Sequence, residues 1–147
     1  MNTNHKLMVS LIESWQAEDV EQTLALCHAD VVFVLNADAE TLPYAVEARG
    51  KAAVRTLMSE MLAVWERLSY SQALLGTDGD IGRVQTSYKL RHRPSGEILS
   101  GTKRSVVQIR DGLVTEIKQH EDAARLAAFL RLVGRDRFGE RDDNPPL

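Results

Sequence analysis

Apolar positions along the chain follow a helical period in the first half and a period of two in the second. An amphipathic helix is predicted from about residue 4 to 17, because apolar residues recur there on one helical stripe. The stripe consists of Leu7, Met8, Leu11, Ile12 and Trp15. Asp19, followed three residues later by Gln22, is typical of a helix start and predicts a short second helix.

A strand, a loop and a long helix are predicted next. Residues 29–35 are apolar and rich in valine, which favours a strand. Residues 36–49 have no clear period and are interpreted as a loop with a short strand near Val46. The strongest helical stripe of the chain begins beyond Gly50. It comprises Val54, Leu57, Met58, Met61, Leu62, Trp65 and Leu68.

Alternation of apolar and polar residues predicts four antiparallel strands after this helix. Their expected ranges are 70–75, 82–92, 98–110 and 113–119. The Asp111-Gly112 pair between the last two suits a type I′ turn and is the strongest hairpin signal in the chain. Asp122 is the expected N-cap of a closing helix that ends at Gly134.

The order of these elements predicts an α+β fold. We expect a cone-shaped barrel in which a strongly curved antiparallel sheet wraps around a long helix, with two N-terminal helices and a C-terminal helix. Residues 1–135 are expected to form a single domain, since 147 residues suffice for one core. Residues 136–147 are expected to be a frayed or disordered tail. Concave sheets of this kind typically hold small ligands.

Composition and charge disfavour several classes of function. The net charge of -3 argues against a nucleic-acid partner. The chain shows no bilayer-length apolar run and no signal-peptide layout, so we expect a cytoplasmic protein without a membrane partner. Cys27 is the only cysteine, which excludes an internal disulfide. We expect no cofactor and no metal, because His28 and Asp30 lack further ligands.

Three motifs resemble the nuclear transport factor 2-like superfamily and, within it, the SnoaL-like group. They are DV and ADVV at residues 19–20 and 29–32, LPYA and RGKAAV at 42–45 and 49–54, and RDGLV and QHED at 110–114 and 119–122. Each motif alone is weak, but their order and spacing are specific. The resemblance extends from about residue 5 to 133.

This resemblance implies a fold that isomerases, dehydratases, epoxide hydrolases and polyketide cyclases share with non-enzymatic binding and transport modules. SnoaL-type cyclases and limonene epoxide hydrolases have a carboxylate near the end of the last strand, where this chain has Gln119. The hydrolases also place an Arg and an Asp on an earlier strand, where residues 89–93 contain no acid. Epoxide opening is therefore disfavoured, because an amide does not titrate at neutral pH.

His120 is the candidate catalytic residue, because an imidazole at the end of the last strand titrates in the range of acid–base chemistry. The structural alternative is a histidine hydrogen-bonded at a strand–helix junction. Gln119 is a candidate substrate-binding amide that would orient a carbonyl or hydroxyl group. Aromatic residues complete the candidate site, either as cavity wall or simply as core. They are Tyr88, Tyr44, Trp15, Trp65 and Phe33.

Basic residues of the meander predict a solvated outer face of the sheet. They are Arg83, Lys89, Arg91 and Arg93 on one strand, with Lys103, Arg104 and Arg110 nearby. We expect the protein to form a homodimer through this outer face. Ile98, Val106 and Gln108 would contribute to that contact.

Two functions remain open. The leading hypothesis is a SnoaL-like small-molecule enzyme that transfers protons, as isomerases, cyclases and dehydratases do, on a hydrophobic substrate with a carbonyl or hydroxyl group. His120 would be its acid–base group, while Gln119 and Tyr88 would orient the substrate oxygen. The alternative is a non-catalytic module of the same fold, which binds a small apolar molecule or acts as a dimeric scaffold.

Overall fold

The computed structural model describes residues 3–36, 47–121, 124–125, 128–129 and 131–133. Three helices and six strands are defined within these ranges. In chain order they are α1 (Thr3–Gln16), α2 (Val20–Ala25), β1 (Cys27–Asn36), β2 (Glu47–Arg49), α3 (Lys51–Val64), β3 (Trp65–Asp78), β4 (Ile81–His92), β5 (Ile98–Arg110) and β6 (Leu113–Glu121). The described residues between 124 and 133 are helical, in agreement with the predicted closing helix. Tyr44 and Asp122 lie outside the described residues.

The six strands form one sheet in the order β2-β1-β6-β5-β4-β3. Neighbouring strands are antiparallel, except that β1 and β6 run parallel. Among the described residues the edge strands β2 and β3 do not pair, so the curled sheet stays open. Helix α1 packs against β3 and β4, and α3 packs against β1, β2 and β3. The predicted α+β cone is confirmed, with an open sheet.

The N-terminal helices form where the sequence predicts them. The Asp19 carboxylate accepts a hydrogen bond from the Gln22 backbone N–H at 3.0 Å and so caps α2. The Ser14 and Thr23 hydroxyls lie 2.8 Å apart and join α1 to α2 in a buried position. None of the described helices combines the length and the apolar character that crossing a bilayer requires.

The hairpin between β5 and β6 is also confirmed. Asp111 and Gly112 both have positive φ angles, of 52° and 78°. Two consecutive positive φ values are the mark of a type I′ turn, whose twist matches that of the flanking strands. This turn sets the first pairs of β5 with β6, and a register shift between Gln108 and Ile109 follows. Turn and shift together decide which residues of the two strands face the concave side.

The long helix ends earlier than predicted. Helix α3 stops at Val64, and Trp65 and Leu68 belong to β3. Trp65 is paired with His92, and the pairing with β4 continues from there to Asp78. The helical spacing of Trp65 and Leu68 is outweighed because a long antiparallel pairing satisfies the backbone hydrogen-bonding groups of both strands.

The core lies between the helices and the concave face of the sheet. Its main cluster includes Met8, Leu11, Trp15, Leu24, Phe33, Val54, Met58, Val84, Val107 and Ile117. A second cluster joins Phe129 and Val133, from the closing helical residues, to Tyr88 and Leu99. The helical residues beyond β6 therefore bury apolar side chains against the sheet.

Candidate functional site

A cavity of about 40 Å³ lies inside the main core cluster. Apolar side chains form most of its wall: Leu11, Ile12, Trp15, Phe33, Met58, Val84, Val107 and Ile117. The polar side chains that border it are Thr23, Tyr70, Gln72, Thr86, Ser105 and Gln119. The cavity has room for water-sized molecules but is smaller than the engineered cavities of roughly 150 Å³ that hold benzene. A larger ligand therefore has to widen it.

One wall of the cavity faces an open groove on the surface. Ile12, Tyr70 and Gln72 border both the cavity and this groove, whose volume is about 460 Å³. The Gln72 Nε2 donates hydrogen bonds to the Ile12 carbonyl at 3.1 Å and to Gln16 Oε1 at 3.2 Å, which links β3 to α1. This seam separates the cavity from the groove, since the same three side chains border both.

Gln119 is a buried residue whose side-chain oxygen lacks a hydrogen-bond partner among the described residues. Its side chain borders the cavity and is 5% exposed. A buried acceptor left without a donor costs about 1–3 kcal/mol. A molecule in the cavity with an O–H or N–H group would remove this cost. The role of Gln119 in binding substrate, expected from the sequence, stays a prediction.

Tyr70 brings a polarised hydroxyl to the same cavity. Trp15 Nε1 donates a hydrogen bond to the Tyr70 oxygen at 3.0 Å, and the Arg67 guanidinium lies 3.6 Å from the Tyr70 ring centroid. A hydroxyl that accepts a hydrogen bond becomes a better donor, so the Trp15 contact strengthens the Tyr70 O–H as a donor to a ligand. The Arg67 site is itself apolar enough that burial lowers the pKa of the guanidinium.

Tyr70 is not among the site residues predicted from the sequence. Strand β3 changes register against β4 twice, between Arg67 and Ser69 and between Leu74 and Gly76. Each such irregularity breaks the alternation of inward and outward positions. A pattern of period two therefore cannot assign Tyr70 to a face, and the pairing of Tyr70 with Tyr88 was needed to do so.

Strands β5 and β6 present inward-facing residues as cross-strand pairs. The pairs are Val107 with Ile117, Ser105 with Gln119, and Lys103 with Glu121. The first two pairs border the cavity, and the third is the next pair along the same face. Lys103 is only 6% exposed. The expectation that Lys103 lies on the outer face is therefore wrong.

A signal for this placement was present in the sequence. Lys103 shares its parity on β5 with three buried apolar residues, namely Leu99, Val107 and Ile109. Residues of equal parity on a strand face the same side. Lys103 therefore faces inward with this apolar series, although the next residue, Arg104, is charged and exposed.

His120 lies on the opposite face of the sheet from Gln119. Its side chain is exposed, as expected for consecutive residues of a strand, which point to opposite faces. The predicted catalytic role of His120 therefore has no support from this geometry. The sequence located the strand end correctly but not the direction of the imidazole.

The predicted aromatic residues divide into two groups. Trp15 and Phe33 border the cavity, as expected. Trp65 does not border this cavity and instead packs beside His92 and Phe129, with ring centroids 5.1 and 5.6 Å away. Tyr88 is buried next to its cross-strand partner Tyr70, does not border this cavity, and approaches Lys103.

Two other histidines, His28 and His92, lie away from the cavity wall. His28 and Asp30 lie 4.0 Å apart on the surface. The part of the chain that the structure describes contains no group of three or more His, Cys, Asp or Glu residues suited to a metal ion. His92 is buried near the β4–β5 turn, with its Nδ1 atom 2.8 Å from Ser95 Oγ.

Comparisons with known proteins agree with this architecture. A family model described as a SnoaL-like domain matches residues 9–117. No curated protein matches the sequence. Among solved structures, an NTF2-like protein from Burkholderia thailandensis superposes with a TM-score of 0.75 at 17% identity, covering 87% of this chain and 97% of that one.

Two further structures carry more specific names. A candidate SnoaL-like polyketide cyclase from Mesorhizobium loti has a TM-score of 0.70 at 16% identity, covering 82% of this chain and 99% of that one. TerC, co-crystallised with polyporic acid, has a TM-score of 0.69 at 18% identity, covering 90% of this chain and 99% of TerC. At these identities the similarity shows the fold alone.

Proposed function

We propose that this chain, which belongs to the SnoaL-like domain family, is a small-molecule enzyme of the proton-transfer type. Its substrate would be a small, mainly apolar molecule with a carbonyl or hydroxyl group, bound on the concave side of the sheet. The reaction class is that of isomerases, cyclases or dehydratases. The observation that carries the proposal is the buried, unpartnered Gln119 Oε1 in an apolar cavity.

The cavity offers one acceptor and one donor to such a molecule. Gln119 Oε1 would accept a hydrogen bond from a substrate hydroxyl. The Tyr70 O–H, which accepts a hydrogen bond from Trp15, would donate to a substrate carbonyl. It would stabilise the enolate that forms when a hydroxide ion from solvent takes the neighbouring C–H proton and becomes water. Apolar walls exclude water and strengthen both contacts.

A second candidate function is a binding module without chemistry. The described residues that border the cavity include no carboxylate and no histidine, which are the usual groups for removing a proton from carbon. This observation favours storage or transport of the same kind of molecule. The two candidates share a ligand class and differ only in whether that ligand reacts.

Binding is tested with phenol and toluene, which differ by a hydroxyl in place of a methyl group. We expect phenol to bind more tightly in a titration followed by NMR. Gln119→Met should weaken phenol binding about tenfold, the worth of one good hydrogen bond, and leave toluene binding unchanged. Equal binding of the two probes to the unaltered protein would contradict the proposed role of Gln119.

Proton transfer is tested with cyclohexanone in deuterium oxide. An enzyme of this class should accelerate exchange of the hydrogens next to the carbonyl, and Tyr70→Phe should reduce the acceleration. Binding of phenol without any acceleration of exchange would favour the binding module. The exchange is followed directly by loss of the proton signal of cyclohexanone.

A further inference from the structure

Lys103 is a buried cation on the concave face of the sheet. Its residue is 6% exposed, although lysine is one of the residue types least often buried without a partner. Within the described ranges it makes no hydrogen bond and no ion pair. The Nζ atom keeps some contact with water, since it is not one of the fully enclosed side-chain atoms without a partner. A cation in such a place, with most of its stem buried, is stabilised by an anion that pairs with it.

Two tyrosine rings offset only part of the cost of withdrawing the Lys103 ammonium from bulk water. Lys103 Nζ lies 5.6 Å from the Tyr70 ring centroid and 5.8 Å from the Tyr88 ring centroid. Cation–π attraction extends to about 6 Å, so both contacts are near its limit. The ammonium therefore retains hydrogen-bonding capacity that the described side chains do not satisfy.

The position of Lys103 connects it to the cavity. Gln72, Thr86 and Lys103 are paired in sequence across β3, β4 and β5 and form one row of the sheet. Gln72 and Thr86 border the cavity, and so does Ser105, the next inward residue on β5. Tyr70 borders the cavity and also faces the ammonium. A molecule that widens the cavity toward this row reaches Lys103.

We propose that Lys103 binds an anionic oxygen of the ligand. The ligand class is then a small, mainly aromatic or apolar acid, whose carboxylate or enolate oxygen pairs with the ammonium while its apolar body occupies the cavity. This inference rests on the proposed function, because it adds a charged anchor to the same site. Pairing with a ligand anion supplies the counter-charge that the described residues leave out.

Glu121 is the nearest charged residue in the sheet register. It is paired with Lys103 across β5 and β6 and is half-buried. The two side chains do not form an ion pair, since the Lys103 ammonium is directed toward the tyrosines of β3 and β4. A ligand anion at Lys103 would be repelled by Glu121, so neutralising Glu121 should strengthen its binding.

The test compares benzoate with benzamide, which have similar shapes but differ in charge. Titrations followed by NMR measure the affinity of each probe for the unaltered protein, Lys103→Met and Glu121→Gln. We expect Lys103→Met to weaken benzoate binding at least about tenfold, the range for a hydrogen bond to a charged group, with benzamide changed less than about twofold. Glu121→Gln should strengthen benzoate binding.

Thermal unfolding separates binding from a structural role. A cation kept for ligand binding should be dispensable for folding, so Lys103→Met should unfold at the same temperature or higher. Lys103→Gln gives a second neutral variant with the same expected loss of benzoate binding. A lower unfolding temperature for both variants, with benzoate affinity unchanged, would overturn the inference.

The outcome for phenol separates this inference from the proposed function. If Gln119→Met weakens phenol binding while Lys103→Met leaves benzoate binding unchanged, only the inference fails. If the unaltered protein binds neither phenol nor benzoate, both fail. Benzoate binding that depends on Lys103 supports the inference directly.

Discussion

Gln119 and His120 are adjacent residues of β6 whose side chains lie on opposite faces of the sheet. Gln119 is buried against the cavity, and His120 is exposed on the other side. Strand alternation imposes this separation, so one of the two residues can reach a ligand in the cavity and the other cannot without a change of register.

We therefore expect His120→Ala to leave ligand binding unchanged. Its affinity for phenol should agree with that of the unaltered protein within about twofold, whereas Gln119→Met loses about tenfold. Both substitutions are on the same strand, so they form a matched pair. The measurement is the phenol titration by NMR, and a large loss in His120→Ala would mean that β6 adopts another register when ligand binds.

The elements of the fold could be predicted from the sequence because their signals are local. Alternation along β4 and β5 and the Asp111-Gly112 turn depend on residues that are close in the chain, and the structure confirms them. The end of α3 could not be predicted in this way. Trp65 continues the helical stripe, but its pairing with His92 is a long-range contact that the stripe does not reveal.

The cavity was harder to predict because it depends on how strands are registered against each other. Gln119 was selected from its place at the end of the last strand, and it borders the cavity, but its role in binding a ligand stays a prediction. Tyr70 was not selected, because two irregularities in β3 hide its direction. Lys103 was assigned to the wrong face, although its parity with Val107 was available. The face on which a charged strand residue lies is therefore predicted better from the alternation of buried and exposed residues along its strand than from the charges of its neighbours.

Gly101 makes room for Tyr88. A Cβ atom at Gly101 would lie 2.9 Å from the Tyr88 hydroxyl oxygen and 3.2 Å from its Cζ atom. Tyr88 is 8% exposed and packed in the second core cluster, so its ring cannot easily move away from an added Cβ atom. We expect Gly101→Ala to destabilise the protein by about 1–3 kcal/mol, as overpacking of a core does. Urea unfolding measures the change.

Gly76 provides the control for this prediction. It also lies within a strand, but a Cβ atom there would meet nothing within 4 Å. Gly76→Ala should leave stability unchanged or raise it by up to about 1 kcal/mol, because alanine restricts the unfolded chain more than glycine does. If both variants were destabilised equally, loss of strand flexibility rather than contact with Tyr88 would be the cause.

Arg67 holds β3 to the end of α1. Its Nη1 atom donates a hydrogen bond to the Trp15 carbonyl at 2.8 Å, and its guanidinium lies over the rings of Trp15 and Tyr70. A cation at a helix C-terminus is also favoured by the helix dipole. Arg67→Met keeps the apolar stem and removes the charge and the donors. We expect a loss of about 1.5–3 kcal/mol in the free energy of unfolding.

Arg83 is the matched control on the neighbouring strand. It is exposed and makes no ion pair or hydrogen bond within the described residues. Arg83→Met should change the free energy of unfolding by less than about 0.5 kcal/mol. Similar losses in both variants would show that the total positive charge matters rather than the contacts of Arg67.

The buried thiol of Cys27 makes the free energy of unfolding depend on pH in the alkaline range. The thiol is 2% exposed, and burial raises its pKa to about 11. In the unfolded chain a cysteine titrates near its ordinary pKa of about 8.5. Between these values the unfolded state has lost the thiol proton and the folded state retains it. Stability therefore falls as pH rises through this window, and the contribution is complete below it.

The prediction is tested against Cys27→Ala, which has no group to titrate at this position. Other side chains titrate equally in both proteins, so the difference between their free energies of unfolding isolates the thiol. That difference should be constant from pH 7 to about 8 and then decrease by roughly 2–3 kcal/mol by about pH 11. Urea unfolding at a series of pH values measures it. Parallel curves across the whole range would show that the Cys27 thiol ionises as readily in the folded protein as in the unfolded chain.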